Sequence, residues 1–162
     1  LAQGSPQDGR RLLLRSLTLA EQVQDLRTQA ASLVQLGILA RRAGDAVQAE
    51  TFLTQAAAQA LAAGDFATRL EARRELLRLM AQRGSVSEAL HGLQSGLAEA
   101  QRSVYQHALW LHAQAEVTAE SGAAAAARTL FVRARALYAQ LGMPEAAELA
   151  RRLPLLDGDK TR

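Results

Sequence analysis

The stretch AGDAVQA, residues 43–49, interrupts an alanine-, leucine- and arginine-rich run that otherwise reads as one continuous helix, and AGDFATR at residues 63–69 repeats the interruption. Glycine tolerates the left-handed backbone that closes a helix, and aspartate accepts hydrogen bonds from the free N–H groups that open the next one. Gly44 and Asp45 therefore predict a helix stop followed at once by a helix start. A single glycine within a helical pattern costs only about 1 kcal/mol and does not compel a break. Recurrence does: Gly44, Gly64, Gly84, Gly122 and Gly142 follow one another at intervals of 20, 20, 38 and 20. Asp65 and Ser85 take the place of Asp45; Ser85 with Glu88 spells a capping box, and Asp45 with Gln48 is a looser version of it. The longer interval conceals one more break near QRSVY, residues 101–105, where Ser103 can cap a helix start without a glycine before it.

Helices are thus predicted near 9–23, 26–43, 46–63, 66–83, 86–101, 104–121, 124–141 and 144–153. Connections this short join antiparallel neighbours. Composition agrees with an all-α chain. Of 162 residues, 49% are hydrophobic and only 4% aromatic, and alanine, leucine, glutamine, arginine and glutamate, all strong helix formers, dominate. A single domain over residues 9–153 is expected, with flexible ends at 1–8 and 154–162, the tail DGDKTR having no apolar residue to hold it. The start at Leu1 instead of methionine suggests an artificial boundary, processing, or a piece of a longer protein.

Two helices make a repeat of about 40 residues. A shift of 40 lays Ala49 on Ala89, Leu53 on Leu93 and Ala60 on Ala100; a shift of 38 carries these to Ala127, Phe131 and Tyr138. Backwards, Leu53 falls on Leu13 and Asp65 on Asp25, so the chain opens on the second helix of an incomplete repeat. Small residues at recurring positions let helix backbones approach, while leucines fill the grooves between them. Along the first helix of the first full repeat stand Leu33, Leu36, Gly37 and Ala40, and along its second helix Ala49, Leu53 and Ala56. The next repeats offer Arg73, Leu76, Leu77 and Met80 with Ala89, Leu93 and Gly96, then Leu111, Gln114, Ala115 and Thr118 with Ala127, Phe131 and Ala134.

In these positions the chain resembles the tetratricopeptide repeat family, with Ala40 where that pattern carries a tyrosine. The 40-residue period, longer than the usual one, is similar to the variant in the sensor domains of large ATP-dependent bacterial transcription activators. The resemblance implies a right-handed α-α superhelix of seven to eight antiparallel helices; an up-down helical bundle is the alternative. It also implies a cytoplasmic scaffold whose first helices line a groove for a peptide or partner protein. Carried over by position, the groove residues are Val34, Ile38 and Arg41, then Glu71, Arg74 and Arg78, then Leu109, His112 and Glu116. The competing reading leaves all nine as solvated helix positions. Arg74 and Arg78, four apart on one helix face, are suited to fork onto a carboxylate or phosphate. Glu71 and Glu75 lie one turn away, so ion pairing within the helix competes for them.

Chemistry has little else to work with. The chain has no cysteine, and His91, His107 and His112 lack the i, i+3 or i+4 spacing that aims two rings at one ion, so no metal is expected. ESGAAA at 120–125 lacks the order of a nucleophile elbow, and the glycines stand as stops rather than clustering into a phosphate loop. Neither catalysis nor a cofactor is expected. Trp110 and Phe131 read as core, with a ligand-lining role as the alternative. The formal net charge of +3 rests on arginines interspersed with Glu71, Glu75, Glu88, Glu99, Glu116 and Glu120, so nucleic acid is not an expected partner. No run approaches the roughly 20 apolar residues that cross a bilayer, so no membrane partner is expected either. Association of copies through the incomplete end repeats is a further expectation. Three functions remain in order: a noncatalytic peptide- or protein-binding scaffold, an effector-sensing part of a larger regulator, and, last, an RNA-binding helical repeat.

Overall fold

The structure, a computed structural model, describes residues 6–156. Its helices are α1 (Pro6–Gln22), α2 (Leu26–Arg42), α3 (Ala46–Ala62), α4 (Phe66–Gln82), α5 (Val86–Ala100), α6 (Val104–Glu120), α7 (Ala124–Gln140) and α8 (Glu145–Arg152), closed by a 3-10 turn at Leu153–Leu156. No strand occurs among the described residues. The expected flexible ends fall outside them at 1–5 and 157–162; residues 6–8 belong to the first turn of α1, and 154–156 to the closing 3-10 turn.

Each predicted break is a tight reversal. At the first of the paired signals Gly44 has φ 81°. The Asp45 N–H donates to the Ala40 carbonyl at 2.9 Å, and the Asp45 carboxylate accepts from the Gln48 N–H at 3.0 Å. One three-residue connection thereby ends α2 and starts α3. Between α1 and α2 the same geometry forms without glycine: Gln24 takes the left-handed conformation at φ 55°, and the Asp25 N–H reaches the Ala20 carbonyl at 2.9 Å. The expected capping box at Ser85 does not form, because Ser85 makes no side-chain cap hydrogen bond. Its ψ of 57° resembles the 80° at Asp45, where the longer carboxylate arm still reaches the helix N–H groups. A hydroxyl needs the extended backbone seen at Ser103, ψ 126°, which accepts from the Gln106 N–H at 3.4 Å.

The chain divides into two compact units, one running to Leu79 and the other starting at Met80. In the first, α1 packs on α2 and α2 on α3. Leu33, Val34, Ala56 and Ala72 form a buried cluster, with Leu17, Ile38, Phe52 and Ala57 packed around it. Gly37 lies so near Leu53 that a Cβ there would run into the leucine side chain. On its outer face α1 keeps Leu12, Leu19 and Val23 exposed.

In the second unit α5 packs on α6, α6 on α7 and α7 on α8. Its core joins Ala108, Leu111, Ala115, Ala127, Phe131, Ala134, Tyr138, Leu149 and Leu153. Trp110 is fully buried, as expected of a core residue, with its ring against Gly96. The repeat register is visible in burial: Ala49, Ala89 and Ala127, Leu53, Leu93 and Phe131, and Ala60, Ala100 and Tyr138 are all at most 1% exposed. Sequential packing of this kind within a unit belongs to helical solenoids and bundles.

Candidate functional site

The first unit brings four of the nine expected groove residues together around one that was expected only as a neighbour, Glu75 of α4. Arg41 of α2 crosses to α4, its Nε donating to Glu75 Oε2 at 3.1 Å and its Nη2 lying 3.1 Å from the same oxygen. Within α4, Arg78 Nη1 at 3.2 Å and Arg74 Nε at 3.4 Å meet Glu75 Oε1. Arg74 Nη2 lies 3.8 Å from Glu71, which also accepts from Gln35 Nε2 at 3.5 Å. The pairing within α4 was legible from the spacing of Glu71, Arg74, Glu75 and Arg78; the pairing across helices was not, since Arg41 carries no sequence mark of a partner 34 residues away.

The side chains of Glu75, Arg41 and Arg74 are only 2%, 5% and 6% exposed. Burial pushes the Glu75 carboxyl up, but Arg78, Arg74 and Arg41 together outweigh it and hold the group below the usual carboxylate range. Burial raises Glu71 above that range, opposed by Arg74 and helped by Glu75. Burial also lowers Arg41, against the attraction of Glu75. A buried network gains little over an apolar one, but removal of one member leaves charges uncompensated. Arg74 Nη1, buried, has no hydrogen-bond partner.

This geometry corrects both readings of the nine positions. Val34 is fully buried in the apolar cluster, with Ile38 half-buried against it, so Val34 lines no open surface. Neither is the charged middle a row of solvated side chains: Arg41 and Arg74 are interior, while Glu71 and Arg78 are half-buried at its margin.

In the second unit Leu109 is half-buried against the core, and His112 and Glu116 lie together on α6. His112 Nδ1 sits 3.3 Å from the Tyr138 hydroxyl, and its ring meets Phe131 and Tyr138 edge-on at 5.7 and 5.8 Å. His112 Nε2 is 3.7 Å from Glu116 Oε1, the oxygen that accepts from Arg152 Nη1 of α8 at 3.4 Å. The Arg152 guanidinium also lies over the Phe131 ring at 4.9 Å from its centroid. These contacts tie α6, α7 and α8 together. Tyr138 and Arg152 were not among the expected site residues; the i, i+4 pair His112 and Glu116 was the available signal. Elsewhere in this unit burial, followed by the charge of Arg133, lowers His107.

Among the described residues no group of three or more histidine, cysteine or acidic side chains could hold a metal ion, and no helix is long and apolar enough to cross a membrane. What the elements define is an all-helical protein of sequentially packed helices. Comparison with known protein families, with curated proteins and with solved structures found no match for this chain.

Proposed function

We propose that the chain is a noncatalytic interaction scaffold of the tetratricopeptide-like type, and that the α2–α4 face of its first unit receives an acidic peptide segment. One observation carries this reading: Arg41, Arg74 and Arg78 are held around Glu75, with Arg78 half-buried at the margin of the network. Guanidinium groups held in place by packing recognise carboxylates at low entropic cost, because their rotamers are ordered before the ligand arrives. The half-buried apolar flank at Ile38 supplies contact area beside the charge.

Fluorescence anisotropy with a labelled glutamate-rich peptide tests it. The affinity is expected to fall with rising salt and to drop about tenfold, or about 1.4 kcal/mol, in Arg78→Ala. Arg151→Ala, an exposed change on α8, should leave it unchanged. Equal affinity in wild type and Arg78→Ala would remove the site. A second reading, a regulatory part answering to a small effector, is favoured by a cavity among α1, α2 and α3.

A further inference from the structure

A cavity of about 210 Å³ opens among α1, α2 and α3, away from the arginine network. Its floor is apolar: Leu36, Leu39, Ala40 and Ala43 of α2 and its C-terminal cap, with Phe52 of α3. Its rim is polar and carries both signs of charge, with Gln7 and Arg10 of α1, Asp45 at the start of α3, and Gln48. The space exists because Ala40 and Ala43 are short; their counterparts 40 residues on are Met80 and Arg83. Pockets for drug-sized ligands run to about 300–1,000 Å³, so this one suits a smaller molecule.

The rim is a hydrogen-bonded series. Arg10 Nη2 donates to Gln48 Oε1 at 2.9 Å, and the Gln48 N–H donates to Asp45 Oδ1 at 3.0 Å. Arg10 thus spends one donor of a planar fork whose others suit a carboxylate, and Asp45 spends one oxygen of a pair whose second suits an ammonium group. The apolar floor between them takes an aliphatic side chain. We propose that this cavity binds a small apolar α-amino acid as its zwitterion, with the carboxylate on Arg10, the ammonium on Asp45 and the side chain over Ala40 and Phe52. The site is independent of the acidic-peptide face.

Isothermal titration calorimetry of the whole chain with L-leucine tests it. Leucine is expected to bind, and leucinamide and 4-methylpentanoate, each lacking one charge, to bind about tenfold or more weakly. Ala40→Met, which fills the cavity, should abolish binding, and Arg10→Gln on the exposed rim should weaken leucine about tenfold while leaving leucinamide unchanged. Binding of the glutamate-rich peptide should persist in both variants, which separates failure of this site from failure of the α2–α4 face. Absence of leucine binding, or unchanged binding in Arg10→Gln, overturns the proposal. Glycyl-leucine binding as tightly as leucine would overturn the free amino acid in favour of a peptide C-terminus.

Discussion

At the scale of single residues, Gln24 and Glu75 carry the most consequence for their size. Gln24 holds a left-handed conformation, at φ 55°, that a side chain with a Cβ adopts at a cost of about 1–2 kcal/mol. Glycine there removes that cost but loosens the unfolded chain. Gln24→Gly is therefore expected to raise stability by up to about 1 kcal/mol, read as a shift in the urea midpoint at constant slope. Glu75 is the opposite case: Glu75→Ala strands the buried guanidinium groups of Arg41 and Arg74 and should cost about 3–5 kcal/mol. The two glutamates also set opposite pH slopes around their ordinary value of 4.5. Glu75 is held below it, so its stabilisation is complete above 4.5 and is lost as the pH falls through its folded value. Glu71 is raised, so stability declines as the pH climbs from 4.5 through its folded value. Urea midpoints measured across this range should lose the decline above 4.5 in Glu71→Gln and keep the acid-side loss.

Helices and their contacts form the next scale, where the sequence was most readable. Stop and start signals placed the ends of α2 to α7 within a residue or so, because a glycine, a capping side chain or both act locally at each break. Two details escaped. Gln24 does a glycine's work, and no composition signal marks it; the Ser85 box fails because its geometry depends on a ψ angle that residue types alone do not fix. Helix contacts give a sharp contrast between two glycines. A Cβ on Gly96 would collide with the Trp110 ring, whereas one on Gly9 meets nothing within 4 Å. Gly96→Ala should therefore destabilise by about 1–3 kcal/mol through forced repacking. Gly9→Ala, in the first turn of α1, should stabilise by up to about 1 kcal/mol through helix propensity. Thermal unfolding of the two variants beside the wild type checks both signs.

Across the molecule, the internal repeat made the core legible, since Ala49, Leu53 and Ala60 predicted their buried counterparts through simple shifts. It did not make the candidate site legible to the same degree. Groove positions carried over by analogy assume that these places face outward, and Val34 and its counterpart Arg74 show otherwise, both being buried. The ion network needed Arg41 and Glu75, 34 residues apart, to be packed against each other, which is a property of the fold. The central claim, an acidic-peptide face on α2 and α4, is tested most directly by mapping backbone amide NMR shifts during titration with the glutamate-rich peptide. Shifts concentrated at residues 35–42 and 71–78, and weakened in Arg78→Ala, are the predicted result. Shifts confined to the second unit, or none at saturating peptide, would contradict it.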